Sequence, residues 1–208
     1  MHGQRVVLAL PKIGRVAAAT TATTLIERFG AGCMVLTGVA GGLAPGVSVG
    51  DVVVGQEFMQ HDMDASPLFK RFEVPLYGTT RFASDPAMTK QLLQAGRSTL
   101  AKPEFAGLFP VAAIHAGLIA SSDRFVSGAS ESSALRAALR ADGHLVLAVE
   151  IEGAAVAQVC ADYCVPFAAV RTISHRADHT AHVDFPRFIE QVASKYALAI
   201  AGNFLKSV

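Results

Sequence analysis

Tryptophan is absent from the 208 residues, and tyrosine and cysteine occur only three times each. Charge is scarce as well: 17% of the residues are charged and the formal net charge is +1, with no long run of Lys or Arg. That removes the electrostatic footprint of a nucleic-acid binder. The three cysteines, Cys33, Cys160 and Cys164, are an odd count in apolar surroundings. They predict reduced, buried thiols in a cytosolic protein rather than a disulfide framework. Cys160 and Cys164 have no second cysteine pair to complete a zinc site, so core packing on a helix is the expectation. No stretch approaches the roughly 20 apolar residues that span a bilayer, and "MHGQRVVLALPKIG" at the start has neither an apolar h-region nor transit-peptide character. These absences predict a soluble, cytoplasmic protein with no nucleic-acid or membrane partner.

What is present is apolar. Hydrophobic residues make up 51% of the chain, which excludes disorder, and the length suits one sizeable α/β domain over residues 1–208. Apolar runs predict strands at 5–10 ("RVVLAL"), 33–38, 51–60, 111–120, 145–149 and 167–173. Several are apolar on both faces, as in a sheet covered on each side. Helices are predicted between them, at 15–29 with Gly30 as the C′ residue, at 86–101, at 130–141 and at the Ala-rich 152–163. A last helix is predicted from an Asp184 N-cap, with Pro186 in its first turn. Its apolar stripe is Phe185, Phe188, Ile189, Val192, Tyr196, Ala199 and Ile200. This alternation predicts a three-layer α/β/α sandwich. Residues 62–85 form a long, partly apolar stretch without a period, a length that in a compact domain is functional or covers a partner.

Four stretches offer chemistry. "TGVAGGLAPGVSVGD" (37–51) is dense in glycine but is not G-x-G-x-x-G and leads into another strand, so it reads equally as a tight turn or a ligand loop. "AVEIEGAA" (148–155) puts Glu150 and Glu152 at a strand end among apolar neighbours, where carboxylates are costly unless they bind something. "VRTISHRAD" (170–178) ends another strand with Arg171, Ser174, His175 and Asp178, and ligand sites in α/β sheets collect at carboxyl ends of strands. "SSDRFVSG" (121–128) offers Phe125, either as a flat aromatic surface or as a core residue. A metal site at His175, Asp178, His179 and His182 is a minor alternative, since the first of these falls at a strand end rather than inside a helix.

Taken in order, "TGVAGGLAPGVSVGDVVV", "HDMD", "GLIASSDRFVSG", "AVEIEGAAVAQVC" and "VPFAAVRTISHRAD" resemble the 5′-methylthioadenosine/S-adenosylhomocysteine nucleosidases of the purine nucleoside phosphorylase superfamily. The resemblance runs from about residue 6 to the C-terminus. It implies a central mixed, twisted sheet and a homodimer. It also implies hydrolysis of the N-glycosidic bond of an adenine thionucleoside to adenine and a 5-thioribose, without metal or cofactor. Carried over by position, Glu152 grips the ribose hydroxyls and steadies the oxocarbenium, and Ile151 lies beneath the sugar. Phe125 stacks on adenine, and the Val126 backbone reads the base edge. Arg171 stands near the nucleophilic water, while Ile13 and Phe185 line the 5′-alkylthio pocket. The loop 62–70, at 65–68 in particular, reaches across the dimer interface. Glu150, Ser174, Asp178 and Val39 complete the substrate-binding set, Val39 standing where phosphorolytic relatives usually offer a serine.

Two departures stand out. The base-protonating aspartate of the family is His175 here. A carboxylic acid needs a raised pKa to donate near neutrality, whereas histidine titrates there unaided, so His175 is the expected acid, with Asp178 to orient it or partly substitute for it. The family also carries a strand–helix–strand segment ahead of "MHGQRVVLAL", with a glutamate that activates the water. The expectation is therefore a fold lacking that segment, in which Glu152 takes over the water or turnover is weak. A nucleoside phosphorylase, and a nucleoside-binding homologue without turnover, stand as alternatives.

Overall fold

The computed structural model describes residues 3–106, 109, 111–176 and 185–207, except for the side chains of 106, 185 and 186. In chain order the elements are α1 (Arg15–Phe29), β1 (Met34–Gly42), β2 (Val52–Gln60), β3 (Phe82–Ala83), α2 (Pro86–Leu100), α3 (Pro103–Ala106), β4 (Ile114–Ser121), α4 (Ala129–Ala141), β5 (Val146–Glu150), α5 (Gly153–Asp162), β6 (Phe167–Arg176), α6 (Phe185–Phe188) and α7 (Ser194–Leu205). The boundaries are chemical: Asp85 caps α2 by accepting from the Met88 amide at 2.8 Å, with Pro86 at the first helical position.

Among the described residues, six strands make one mixed sheet in the order β3-β2-β4-β5-β1-β6. β1 runs parallel to β6, and β4 parallel to both β2 and β5, whereas β1–β5 and β2–β3 are antiparallel. The sheet also curls until Val52, Val53, Val54 and Gly55 pair with Thr172, Arg171, Val170 and Ala169, so that β2 and β6 close it into a ring. Side chains of these apolar strands alternate between two helical layers. Val53, Ala169 and Ile173 pack with Ala18 and Ala22 of α1 and with Ala154, Ala157 and Cys160 of α5. Val52, Val54, Ala168 and Val170 pack with Met88 and Leu92 of α2 and with Tyr196, Ile200 and Phe204 of α7. Each fully buried Val, Leu, Ile, Phe or Met side chain among these contributes about 1.5–3 kcal/mol. The three layers are as the alternation predicts.

Three expectations are corrected. Residues 5–10 form no strand and pair with none of the described strands, and Val7, Leu8 and Leu10 are exposed. Only Cys160 is buried, its thiol pushed up to about 12 by that burial, whereas Cys33 and Cys164 are exposed at the ends of their elements. The final helix is broken by a π-helical turn at Ile189–Ala193. That turn takes Ile189 out of the packed stripe and leaves it 38% exposed.

Candidate active site

The carboxyl ends of four strands surround one cavity of about 300 Å³. β1 contributes Val39, Ala40 and Gly41, the chain after β4 contributes Arg124, Phe125 and Val126, and the β5–α5 turn contributes Val149, Glu150, Ile151 and Glu152. Ser174 and His175 come from β6, with Ile13 from the approach to α1 and Ile189 from the π turn.

The two glutamates of "AVEIEGAA" have separate tasks. Glu150 is 7% exposed and saturated. One carboxylate oxygen accepts from Ser121 Oγ, the other is paired with Arg171 Nη2, and the amides of Glu152 and Gly153 donate at 2.8–3.1 Å. Ser121 Oγ in turn accepts from the Ala154 amide at 2.8 Å, so the pair also fastens the start of α5. Arg171 is 3% exposed and does not reach the cavity wall; it stands behind the two carboxylates.

Glu152 has capacity to spare. Its Oε1 accepts from the Gly14 amide at 3.3 Å, and its Oε2 lies 3.7 Å from Arg171 Nη2. Burial, aided by the charge of Glu150, outweighs Arg171 and raises the Glu152 pKa above its ordinary 4.5. A carboxylate that is only loosely held and whose proton affinity is raised can both bind hydroxyls and accept a proton.

Across the cavity, His175 is 6% exposed. Its Nδ1 is 2.9 Å from Ser174 Oγ, which lies 3.4 Å from the Ala40 carbonyl oxygen. The Nε2 end rests over Gly41, 2.8 Å from where a Cβ would stand, so any larger residue at 41 displaces the ring. Phe125 lies 4.9 Å from the imidazole between centroids, tilted by 33°, and is 42% exposed. Phe125 is thus a cavity aromatic and not a core one.

Sequence reasoning passed over a cluster at the rim. Arg15 lies at the very start of α1, where a cation opposes the helix dipole. Its guanidinium grips Asp62 at 2.7 and 2.8 Å, Asp123 at 2.9 and 3.1 Å, and Gln60 at 2.7 Å. Although burial works against its charge, these carboxylates raise the Arg15 pKa. The cation in the first turn was the available signal. Ile189 and Arg124 were likewise not anticipated.

Of the predicted residues, Ile13, Val39, Phe125, Val126, Glu150, Ile151, Glu152, Ser174 and His175 all line the cavity. Asp178, His179 and His182 lie outside the described residues, as does the side chain of Phe185. Among the described residues no three His, Cys, Asp or Glu side chains are placed to hold a metal ion, and no helix is long and apolar enough to cross a membrane.

Residues 1–206 match the family model described as the phosphorylase superfamily. The 5′-methylthioadenosine/S-adenosylhomocysteine nucleosidase of Haemophilus ducreyi is 36% identical over 195 residues, covering 92% of this chain and 78% of the relative. The crystal structure of the nucleosidase of that name from Neisseria meningitidis, in complex with methylthio-immucillin-A, superposes with a TM-score of 0.87 at 36% identity, covering all of this chain and 84% of the other. The Streptococcus pneumoniae structure with a transition-state inhibitor gives 0.83 at 31% identity, covering 99% and 83%.

Proposed function

Because the chain belongs to the phosphorylase superfamily, and within it to the 5′-methylthioadenosine/S-adenosylhomocysteine nucleosidases, we propose that this cavity hydrolyses the N-glycosidic bond of those nucleosides. The observation that carries the reading is the pairing of Glu152 and His175 across one cavity beside the aromatic face of Phe125.

The purine lies along Phe125, with its edge toward Val126 and His175. The imidazole and phenyl rings touch in this state, so a stacked base parts them or uses the exposed remainder of Phe125. Imidazolium His175 gives its proton to purine N7, and the N9–C1′ electron pair leaves with the base. Glu152 holds the ribose hydroxyls, above Ile151, and its negative charge stabilises the oxocarbenium. Water adds its oxygen to C1′ and loses a proton. Glu150 is saturated by Ser121, Arg171 and two amides, so Glu152 is the carboxylate left to receive that proton. Adenine and 5-methylthioribose, or S-ribosylhomocysteine, result. Apolar Val39 on the wall gives a phosphate ion nothing to bind, which favours water as nucleophile.

Ile13 and Phe185 are assigned to the 5′-substituent, and Asp178 to the orientation of His175. The chain acts as a homodimer, with loop 62–70 at the interface. Leu68, Ile13 and Val16 are 80% or more exposed, apolar side chains that a partner would cover. Three free cysteines suit the reducing cytoplasm. Adenine release from methylthioadenosine, measured with and without phosphate and repeated with His175→Asp, tests the reading. A ribose 1-phosphate product overturns hydrolysis. Binding without adenine release would instead identify a nucleoside-binding protein.

A further inference from the structure

The first amides of a helix have no partner within it, and the usual remedy is the side chain of the N-cap residue. The N-cap residue of α5 is Glu152, and its side chain caps nothing. All four leading amides are nevertheless engaged. The Glu152 amide donates to Glu150 Oε2 at 3.1 Å, and the Gly153 amide lies 2.8 and 2.9 Å from the two Glu150 oxygens. The Ala154 amide donates to Ser121 Oγ at 2.8 Å, and the Ala155 amide to the Glu152 carbonyl oxygen at 3.1 Å. Capping of α5 has thus passed from its own N-cap side chain to the ends of β4 and β5.

Ser121 is the part of this arrangement that comes from outside the β5–α5 turn. It stands opposite Glu150 in the parallel β4–β5 ladder and is fully buried. Its O–H donates to Glu150 Oε1 while its oxygen accepts from Ala154, so one atom serves in both directions. A hydroxyl can do this, and a methyl group or a carboxylate cannot. With the amides held in this way, the Glu152 carboxylate is left with the Gly14 amide at 3.3 Å and Arg171 Nη2 at 3.7 Å. A carboxylate drawn onto helix amides holds its proton weakly and makes a poor proton acceptor.

We propose that Ser121 is a positioning residue for the hydrolytic reaction: together with Glu150 it takes the helix amides that an N-cap side chain would bind, and so leaves the Glu152 carboxylate to the substrate. The inference rests on Glu152 as the carboxylate that meets the sugar and the water, and deepens that reading by naming what keeps it available. The charged and titratable groups around Glu152 are Glu150 on β5 and Arg171 on β6, with His175 and Arg124 on other walls of the cavity.

The test follows kcat/KM for methylthioadenosine against pH in the unaltered chain, in Ser121→Ala and in Ser121→Thr. In Ser121→Ala the Ala154 amide loses its acceptor, and Glu152 is the adjacent carboxylate with capacity to replace it. The expected result is a fall in kcat/KM of about tenfold or more, with the acidic limb moved to lower pH. Ser121→Thr keeps the hydroxyl and is expected to keep the limb where the unaltered chain has it. A role confined to stability would lower the melting temperature of Ser121→Ala and leave its acidic limb in place, and that result overturns the proposal. Carbon-13 titration of the glutamate carboxyls, with Glu152 assigned through Glu152→Gln, reads the same group without turnover. If the unaltered chain releases no adenine, the nucleosidase reading itself has failed and this titration decides the present point, as it does if Ser121→Ala fails to fold. A Glu152 midpoint above the ordinary 4.5 in the unaltered chain upholds the proposal, and one at or below it overturns it.

Discussion

The guanidinium of Arg171 lies across the backbone of Gly38, so closely that a Cβ on residue 38 would collide with Nη1. Gly38 sits opposite Arg171 in the parallel β1–β6 ladder. The absence of a side chain on one strand thus makes the room for a buried cation on the next. Gly38→Ala is expected to lever Arg171 away from Glu150, leaving two buried charges unpaired, and to destabilise the fold by about 3–5 kcal/mol. Urea unfolding with an unchanged slope and a lowered midpoint is the measurement. A loss below about 0.5 kcal/mol would show that Arg171 has room to move aside.

The two glutamates, two residues apart, are predicted to fail in opposite ways. Glu150→Gln removes the partner of a 3%-exposed arginine and is expected to cost about 3 kcal/mol of stability or more. Glu152→Gln should leave stability unchanged or slightly raised, because the charged form of Glu152 is the one that burial opposes. Its turnover of methylthioadenosine should nevertheless fall by about a hundredfold or more. Thermal unfolding and adenine release on both variants check this. Similar losses of stability in the two would refute the division of labour.

Much of this was legible in the sequence, and the reasons differ by element. The buried strands and α1 were readable because their apolar runs and the Gly30 stop are local signals. The run at 5–10 carries the same signal as β1, yet a strand needs a neighbour to pair with, and none of the described strands takes it up, which no local pattern states. The site divides in the same way. Glu152, His175 and Phe125 were named because acids and aromatics at strand ends are conspicuous. That Glu150 is saturated while Glu152 is not depends on Ser121 and Arg171, 29 and 21 residues away from Glu150. The contact between His175 and Phe125 is equally a matter of tertiary packing.

The raised proton affinity of Glu152 has two consequences for pH. In activity, ionised Glu152 is needed, so the acidic limb of kcat/KM should have its midpoint above the ordinary 4.5. In stability, the folded chain holds the Glu152 proton more tightly than the unfolded chain does. Between 4.5 and the raised value the folded state then binds more protons, and the contribution of Glu152 falls as pH rises through that window. Glu152→Gln should flatten that part of the stability curve. An acidic limb at or below 4.5, together with a stability curve unaltered by the substitution, contradicts the assignment.

Arg15 draws together parts of the chain that carry the cavity wall. The guanidinium holds Gln60 and Asp62 at the end of β2 and Asp123 just before Phe125, while its own amide bonds Asp123 at 3.2 Å beside the Ile13–Gly14 approach. Removing it frees the Phe125 loop and leaves Asp62 and Asp123 as neighbouring like charges. Arg15→Ala is therefore expected to raise KM for methylthioadenosine by about tenfold, because the aromatic surface and the sugar-side loop lose their alignment. Stability should fall by only about 1 kcal/mol, since the ion pairs are partly exposed. Arg15→Lys keeps the charge but not the planar fork that spans two carboxylates and an amide, so it should recover part of the loss only. Steady-state kinetics on both variants separate this role from a purely structural one. If KM is unchanged while the melting temperature drops, Arg15 stabilises the fold without aligning the cavity.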